Sequence, residues 1–331
     1  MSEIKSDLTH VNDTQPGFTR KKWGRGFIYY DPNGVKIKDK ATINRIKDLV
    51  IPPNWKDVWI CSEENGHLQC TGLDQKERKQ YIYHPEWVKY NQQNKFSRLK
   101  LFGLKLPIIR KQIEKDLQQK KWTKSKVLAL VIHVLDEYYL RIGNQYYANK
   151  NNTYGLTTLR RKHIDNTSDT LQLNYKAKSN KERELTIEDD QLAELIKEIS
   201  DLPGYEIFRY REGSNSWVSI DSKDVNDYIK NMVQEDFTAK DFRTWGGTKL
   251  TVEFLPEAKV KVRQNKRLSL EPTLVKLVAK SLGNTVATCR KYYIHPDVLQ
   301  DLTSADTSVL QEVNGTDYLD PSEVYILKVI R

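Results

Sequence analysis

Residues 127–141 read Val-Leu-Ala-Leu-Val-Ile-His-Val-Leu-Asp-Glu-Tyr-Tyr-Leu-Arg, an apolar stretch that ends on a cation. Its apolar side chains recur at the three- and four-residue spacing that is typical of a helix with a buried face. The positions that follow this spacing are Val127, Leu128, Val131, Val134 and Leu135. Because the helix leads directly into Arg141, we expect it to belong to a helical core that holds this guanidinium group rigidly.

Further patterns downstream extend this core. Apolar residues alternate on both sides of Ser179-Asn180, which predicts a β-hairpin; they are Leu171, Leu173 and Tyr175 before it and Leu185 and Ile187 after it. A helical repeat from Leu274 to Leu282 stops at Gly283, a residue favoured just beyond a helix. Asp320-Pro-Ser-Glu323 is a capping sequence that predicts the start of a last helix.

The segment before residue 92 is expected to be rich in strands. Residues 27–30 and 35–37 flank Asp31-Pro-Asn-Gly34 and predict a hairpin with its turn at Pro32-Asn33. A short helix is expected from Ile43 to Val50 because Pro52-Pro53 follows it. Further strands are expected at residues 58–61, 68–70 and 81–83.

These patterns predict an α+β fold with a small β-rich N-terminal domain and a larger, mainly α-helical C-terminal domain that contains a small β-sheet or hairpin. Residues 1–16 are polar and aperiodic, so we expect a disordered tail there. Asn91-Gln-Gln-Asn94 is the most linker-like stretch. The N-terminal domain is therefore expected at residues 17–92 and the C-terminal domain at residues 93–331.

Composition excludes several classes of protein. The 331 residues contain no apolar run long enough to cross a membrane and no apolar N-terminal signal. Three cysteines are an odd, sparse set that fits a reducing compartment, so a cytoplasmic location is expected. Cys61, His67 and Cys70 lack a fourth ligand nearby, so we expect no zinc site and no other metal. A Walker loop is absent, which argues against nucleotide hydrolysis and leaves no cofactor expected.

The charge of the chain favours a polyanionic partner. The formal net charge is +10 at pH 7. Between residues 89 and 126 there are twelve Lys and Arg against two acids, Glu114 and Asp116. Apolar residues interrupt this block, which indicates folded structure with one cationic surface and favours nucleic acid over mere solvation.

Five side chains distributed along the chain suit one reaction at a phosphodiester. Arg141 and Arg243 can bind non-bridging phosphate oxygens in bidentate fashion. Lys178 can act as a general acid, Asn284 can donate a hydrogen bond, and the phenol of Tyr293 can attack phosphorus. Cations from the protein can stabilise the developing charge in place of a metal.

The local contexts of these residues are Arg141-Ile-Gly-Asn144, Tyr175-Lys-Ala-Lys178, Phe242-Arg-Thr-Trp-Gly246 and Gly283-Asn-Thr-Val-Ala-Thr-Cys-Arg-Lys-Tyr-Tyr293. In this order the motifs resemble type IB DNA topoisomerases of the bacterial and poxvirus-like branch. The resemblance covers about residues 20–300. It implies a monomeric, ATP-independent enzyme whose catalytic C-terminal domain and N-terminal domain form a clamp around duplex DNA. It also implies relaxation of supercoils through a 3′-phosphotyrosyl intermediate, strand rotation and religation on nucleoid DNA.

The resemblance also assigns roles to individual residues. The nucleophile of the family lies nine residues after the His/Asn position, which selects Tyr293 over the adjacent Tyr292. The Tyr-Lys-Ala-Lys pattern selects Lys178, although Lys176 and Lys181 also flank the turn and could be there for solubility alone. Asn284 departs from the histidine of the poxvirus enzymes; it adds no charge and cannot titrate near neutrality.

DNA-contacting residues are expected outside the catalytic set. Gln80-Tyr-Ile-Tyr83 resembles the duplex-contacting segment of the family, and Tyr147 resembles a further contact. Alternation places Tyr81 and Tyr83 on one face of a strand, which could be core or DNA-facing. The cations just upstream are expected to bind backbone phosphates; they are Lys76, Arg78 and Lys79.

Two other functions remain open at this point. A tyrosine recombinase or integrase uses a similar Arg-Lys-Arg-Tyr set but usually carries His-x-x-Arg where this chain has Asp241-Phe-Arg243. A catalytically inert nucleic-acid-binding clamp would explain the charge but would not need Tyr293 and Lys178. Trp245 and Gly246-Gly247 suggest a fixed and sharply turned backbone beside Arg243.

Overall fold

The computed structural model describes residues 8–75, 77–165, 170–213, 216–304 and 313–330, with residues 91–95 described by their backbone alone. The chain divides into two compact units, Met1–Lys95 and Phe96–Arg331. The division lies inside the helix Pro85–Leu117, close to the expected boundary between residues 92 and 93. None of the described helices is long and apolar enough to span a membrane.

An antiparallel sheet of order β2-β1-β3-β4-β5 forms the frame of the first unit. Its strands are β1 (Phe18–Trp23), β2 (Gly26–Tyr30), β3 (Lys56–Ile60), β4 (Leu68–Leu73) and β5 (Lys79–Tyr83). Helix α1 (Lys40–Asp48) begins after Asp39, whose carboxylate accepts the backbone N–H of Thr42 at 2.7 Å. The helix buries Ile46 in a small core with Val58, Ile60 and Cys70. The predicted helix and the three predicted strands after it are therefore confirmed.

The first predicted hairpin forms but is short. Residues 35–37 return antiparallel to β2 through the bridge between Tyr30 and Lys36, and the N–H of Asp31 donates to the carbonyl oxygen of Val35 at 2.9 Å. Strand β2 also pairs with β1, which was not predicted. The alternation of apolar and polar residues does not reveal β1, because residue 20 faces inward but is an arginine. The guanidinium group of Arg20 donates to the carbonyl oxygens of Ile51 and Trp55, both at 3.2 Å, and so satisfies a cation on the inner side of the strand.

The predicted disordered tail is wrong for residues 8–16. Thr9 forms a bridge with Gly66, and the backbone N–H of Val11 donates to Nδ1 of His67 at 3.1 Å. The carboxylate of Asp13 accepts the hydroxyl of Thr71 at 2.8 Å. Single polar contacts of this kind leave no periodic signal in a sequence. Residues 1–7 lie outside the described part of the chain.

The predicted linker at Asn91-Gln-Gln-Asn94 is helical. Helix α2 (Pro85–Leu117) runs through it without interruption. Asn and Gln cost a helix only tenths of a kcal/mol relative to alanine, roughly 0.7 at most, whereas Gly and Pro are the residues that interrupt helices. An amide-rich stretch is therefore weak evidence for a linker.

Helices make up most of the second unit. After α2 they are α3 (Lys124–Tyr138), α4 (Gln145–Asn151), α5 (Asp190–Ser200), α6 (Ser222–Val233), α7 (Ala239–Glu253), α8 (Leu255–Gln264), α9 (Leu270–Leu282), α10 (Val286–Tyr292), α11 (Pro296–Ser304) and α12 (Pro321–Val329). Helix α3 is the predicted apolar helix, and its side chains from Val127 to Ile132 are buried. The predicted ends are also confirmed: α9 stops at Gly283, and Asp320 and Glu323 form the capping box of α12.

Two small sheets complete the second unit among the residues that the structure describes. Strands β6 (Ile164–Asp165), β7 (Leu171–Ala177) and β8 (Lys181–Ile187) form one sheet, and β9 (Arg209–Glu212) pairs with β10 (Ser216–Ser219). The predicted hairpin is the β7–β8 pair, which runs in continuous register from Leu171 opposite Ile187 to Ala177 opposite Lys181. Lys178 thus lies at the tip of the hairpin.

A buried ionic network joins four helices of the second unit. Arg110 of α2 donates to Asp136 of α3 at 2.7 Å and to Glu323 of α12 at 2.6 Å. The indole N–H of Trp245 in α7 donates to the same Glu323 at 2.8 Å. The side chain of Glu323 is fully buried. Burial, the largest single cause, would raise its pKa, but the hydrogen bond and charge of Arg110, together with the charge of Lys249 and the hydrogen bond of Trp245, outweigh burial and lower the pKa of Glu323.

We expect Glu323→Ala to destabilise the second unit by about 3–5 kcal/mol, because the change removes one of the two buried carboxylates that bind Arg110 and leaves the indole N–H of Trp245 without its partner. The control is Glu257→Ala, which removes an exposed pair with Lys261 at 3.3 Å and is expected to cost about 0.5 kcal/mol or less. Urea unfolding measures both. Since the pKa of Glu323 is lowered, its contribution is present above the ordinary carboxyl pKa and is lost as the pH falls through the folded-state pKa. Equal losses in the two variants would contradict this account.

Candidate active site

Arg141 follows the end of helix α3, and hydrogen bonds fix its backbone there. The helix ends at Tyr139, which takes the left-handed conformation with φ 52°, and Arg141 follows two residues later. The carbonyl oxygen of Arg141 accepts the N–H of Leu156, and that of Ile142 accepts the N–H of Thr157, both at 2.8 Å. The rigid placement expected from the apolar helix is therefore present.

Arg243 lies near the start of α7 and is only 5% exposed. Its Nη1 donates to the carbonyl oxygen of Tyr139, and its Nη2 donates to that of Leu282 at 3.1 Å. Its Nε is buried without a hydrogen-bond partner. A buried donor that is left unpaired costs about 1–3 kcal/mol, so this guanidinium group is prepared to bind an acceptor.

The expected sharp turn at Gly246-Gly247 is wrong, since both residues lie inside α7. Their role is close approach. A Cβ atom on Gly246 would collide with the ring of Tyr139, and one on Gly247 would collide with the carbonyl oxygen of Tyr293. Gly246 therefore lets α7 pack against the ring of Tyr139, and Gly247 lets it pack directly against the backbone of the proposed nucleophile.

The end of α9 gathers the cations of the site. The carbonyl oxygen of Ser281 accepts Nη1 of Arg183 at 2.7 Å, and that of Leu282 accepts Arg243. After Gly283, which has φ 64°, Oδ1 of Asn284 accepts Nη2 of Arg141 at 2.5 Å. The last carbonyl groups of a helix lack intrahelical partners and carry partial negative charge, so this end attracts guanidinium groups.

Asn284 presents a free donor at the same place. Since its Oδ1 accepts from Arg141, its Nδ2 is the remaining group, and it is buried without a hydrogen-bond partner. The amide can therefore donate to a further acceptor beside Arg141.

Tyr293 is the C-terminal cap of α10, and its N–H donates to the carbonyl oxygen of Cys289 at 2.9 Å. The guanidinium carbon of Arg243 lies 5.2 Å from the centre of its ring. Tyr292 is 37% exposed and lies instead beside Lys291, with 5.4 Å between the ammonium nitrogen and the ring centre. Contact with the buried arginine thus favours Tyr293 over Tyr292, as the spacing argument does.

The positive charges of the site are mutually unfavourable. Burial lowers the pKa of Arg243 to about 10, and repulsion by Arg141 adds to the effect. Burial also lowers the pKa of Arg141, with Arg183 adding repulsion and Tyr293 opposing it. Both guanidinium groups remain charged at neutral pH, and an anion bound between them would relieve the repulsion.

Lys178 is exposed at the tip of the β7–β8 hairpin. The two residues after it, Ser179 and Asn180, have φ values of 67° and 57° and form a tight left-handed turn. The contacts that join Arg141, Arg243, Asn284 and Tyr293 do not include Lys178. The structure therefore brings four of the five proposed catalytic residues together and leaves the fifth on the hairpin tip.

The predicted DNA contacts lie mainly on β5. Tyr81 and Tyr83 are 48% and 40% exposed, and their rings stack with centres 6.0 Å apart, so their shared face is not core. Lys79 pairs with Asp13 at 2.5 Å, whereas Arg78 and Gln80 both bind Asp74. Tyr147, on α4, is half exposed. Lys76 lies outside the described residues.

The basic block at residues 89–126 is only in part a surface. Lys100 donates to the carbonyl oxygen of Ile330 and Arg98 to that of Asp236, both at 2.8 Å. Arg110 lies in the buried network, and Lys126 is buried against Trp122. Arg110 and Lys126 therefore belong to the interior, whereas Arg98 remains exposed, which corrects the expectation that the whole block forms one cationic surface.

Sequence reasoning missed Arg183. The side chain is half-buried and faces the same side of β8 as Leu185 and Ile187. The alternation that predicted the hairpin would have revealed it, because residues 183, 185 and 187 share a face and an inward cation requires a partner.

We expect Gly247→Ala to slow the proposed cleavage by about 10²-fold, because a Cβ atom there must displace the backbone of Tyr293 by a large part of an ångström. Without strain, replacing a glycine inside a helix by alanine raises the free energy of unfolding by roughly 0.5–1 kcal/mol. If the Cβ atom caused no strain here, the variant would therefore be more stable and normally active. Single-turnover cleavage and thermal melting measure the two effects. Gly26→Ala, where a Cβ atom meets nothing within 4 Å, is the control.

Metal ligands do not cluster in the described parts of the chain: no three or more His, Cys, Asp or Glu side chains could together hold an ion.

Comparisons with known proteins identify similar sequences over most of the chain. Residues 78–316 match the family model of the eukaryotic DNA topoisomerase I catalytic core, and residues 26–74 match that of the bacterial DNA topoisomerase IB N-terminal domain. DNA topoisomerase 1B of Acanthamoeba polyphaga mimivirus is 31% identical over 84% of this chain and 85% of its own length. That of vaccinia virus (strain Copenhagen) is 23% identical over 89% of this chain and 90% of its own.

Among solved structures, a XerH site-specific recombinase bound to its difH substrate is 17% identical and has a TM-score of 0.36, over 63% of this chain and 51% of the recombinase. The family match, in contrast, covers most of the chain and includes every residue proposed for catalysis. The chain therefore belongs to the type IB DNA topoisomerase family.

Proposed function

We propose that this enzyme relaxes supercoiled duplex DNA without ATP or a metal ion, through transient cleavage of one strand by Tyr293. One observation carries the assignment of the residues. Arg141, Arg243 and Asn284 meet at the end of α9, where Tyr293 lies against the guanidinium group of Arg243. This arrangement supplies cations, a neutral donor and an oxygen nucleophile around one position.

The scissile phosphate binds where these donors converge. Arg141 and Arg243 hold its non-bridging oxygens, and the free Nδ2 of Asn284 donates a further hydrogen bond. The charge that grows on these oxygens in the transition state is stabilised by groups that are already in place. Asn284 contributes through its hydrogen bond alone, because an amide carries no charge.

The chemical step exchanges one phosphodiester for another. The phenolic oxygen of Tyr293 loses its proton to solvent and bonds to phosphorus, and the bond from phosphorus to the 5′ oxygen breaks. Lys178 donates a proton to that oxygen, which leaves as a hydroxyl group. The protein retains the 3′-phosphate, a polarity that follows from the family. The free end rotates about the intact strand and then attacks the phosphotyrosine to reseal the DNA, so supercoil strain alone drives relaxation.

The setting of the reaction is also part of the proposal. Duplex DNA is the partner, and the exposed pair Tyr81 and Tyr83 is proposed to contact it, together with Tyr147, Gln80 and the nearby cations. We place a monomeric enzyme on nucleoid DNA in the cytoplasm. The three cysteines are free and buried, which supports a reducing compartment.

Tyr293→Phe tests the proposal because it removes only the attacking oxygen. We expect the variant to bind duplex DNA normally but to show no relaxation of negatively supercoiled plasmid in buffer with EDTA and without ATP. Tyr292→Phe is the matched control and is expected to retain relaxation. Covalent DNA trapped by Tyr293→Phe would transfer the nucleophile to Tyr292, and a wild-type enzyme without any relaxation would point to an inert clamp.

Lys178→Ala tests the general acid. On ordinary DNA the variant should cleave about 10²–10⁴-fold more slowly in a single turnover, with little loss of binding. On DNA with sulfur at the 5′-bridging position the thiolate leaves without a proton, so the variant should regain most of its rate. Arg243→Ala should gain far less from sulfur, because its partner is a non-bridging oxygen. Equal rescue of both variants, or of neither, would assign the acid to another residue such as Lys181.

A further inference from the structure

Arg183 joins the hairpin that carries Lys178 to the end of α9. It stands on β8 directly opposite Tyr175 of β7, within the continuous register of the hairpin. Its Nη1 donates to the carbonyl oxygen of Ser281 in the last turn of α9 at 2.7 Å. The bond therefore connects a strand next to the hairpin tip with the helix end that holds Arg141, Arg243 and Asn284.

Gly283 provides the space for this contact. A Cβ atom on Gly283 would lie 3.1 Å from Nη1 of Arg183 and 4.0 Å from Nη1 of Arg141. With φ 64°, the position also favours glycine on backbone grounds alone. The two guanidinium groups thus flank one glycine, and Arg183 borders the phosphate-binding residues without taking part in their hydrogen bonds to Leu282 and Asn284.

The position of Arg183 has an electrostatic cost that its contacts must offset. Its charge lowers the pKa of Arg141 and of Arg243, in each case after burial, the larger cause. A third cation beside two buried ones weakens the site unless it contributes something else. The carbonyl group of Ser281 at the negative end of α9 compensates part of this repulsion.

The path from Arg183 to Lys178 is short and stiff. Two register pairs of the hairpin, Lys176 with Glu182 and Ala177 with Lys181, lie between them. The tip itself consists of Lys178 and two residues with left-handed backbone angles, which allow little variation. Two bonds attach the stem of the hairpin near its tip. On β7 the N–H of Tyr154 donates to the carbonyl oxygen of Lys176 at 2.8 Å, and on β8 Arg183 donates to Ser281 two register pairs before the tip. The bond of Arg183 is the one that joins the hairpin to the end of α9.

We propose that Arg183 is a positioning residue that sets the distance between the general acid Lys178 and the phosphate held by Arg141, Arg243 and Asn284. The inference rests on the proposed cleavage reaction and adds a component to it. Arg183 acts through the hairpin and not on the substrate. A direct bidentate contact of Arg183 with a DNA phosphate is the alternative that the experiment must separate from it.

The experiment measures single-turnover cleavage by Arg183→Met on two DNA substrates, one with oxygen and one with sulfur at the 5′-bridging position. Methionine keeps the length of the apolar stem but cannot bind Ser281. On the oxygen substrate we expect a loss of up to about 10²-fold, the effect of a displacement near 1 Å. On the sulfur substrate, which needs no acid, the rate should return to within a few fold of wild type, the same pattern as for Lys178→Ala.

The controls isolate the role of Arg183. Lys176→Met removes an exposed cation from the opposite face of the hairpin, where it pairs with Glu182 at 3.7 Å, and should change neither rate. Arg183→Lys can still donate to Ser281 and should lose less rate than Arg183→Met on the oxygen substrate. If Arg183→Met fails to melt cooperatively, Arg183→Lys decides the question by the same comparison of oxygen with sulfur.

Several outcomes would overturn the proposal. Equal slowing on both substrates, with Arg183→Lys as impaired as Arg183→Met, would show a direct phosphate contact. A normal rate for Arg183→Met on the oxygen substrate would show that the hairpin needs no attachment through Arg183. If wild-type enzyme cleaved neither substrate, the proposed reaction itself would fail, which is a result distinct from both.

Discussion

The site depends on the binding of guanidinium groups at the C-terminal end of α9. Guanidinium groups repel one another, and burial makes each of them more costly to charge. Consecutive carbonyl groups at residues 281 and 282 bind Arg183 and Arg243, and Asn284 just beyond them binds Arg141. Two cations are thus held by the partial negative charge of one helix terminus and a third by the amide oxygen of Asn284 beside it, which leaves their remaining donors available to a phosphate.

Helix α7 supports the end of α9, because it carries Arg243 and packs against Tyr139 and Tyr293. Gly246 and Gly247 let α7 approach Tyr139 and Tyr293, so the helix that carries Arg243 also fixes the backbone of the nucleophile. Trp245, between Arg243 and those glycines, is bound by the fully buried Glu323 of α12. A displacement of α12 would therefore reach the site through one helix turn, since interiors packed at this density transmit strain.

The sequence predicted what depends on local pattern. Periodicity located α3, the β7–β8 hairpin and the end of α9, and spacing selected Tyr293. It missed β1, the attachment of residues 8–16 and the partner of Arg183, because each depends on a hydrogen bond between residues distant in the chain. Gly246-Gly247 was misjudged for the same reason: a glycine pair indicates either a turn or a close approach, and only the neighbouring Tyr139 and Tyr293 decide between them.

Because residue 284 is an asparagine, this position of the phosphate-binding site does not change its charge with pH. An amide has no proton to gain or lose near neutrality. Arg243, with its pKa lowered to about 10 chiefly by burial, remains charged throughout the same range. The phosphate-binding groups therefore keep one charge state across physiological pH. In the proposed mechanism, proton transfer involves two other groups: the phenol of Tyr293, which loses a proton as it attacks phosphorus, and the ammonium of Lys178, which donates one to the departing 5′ oxygen. Binding and proton transfer are thus carried by separate residues.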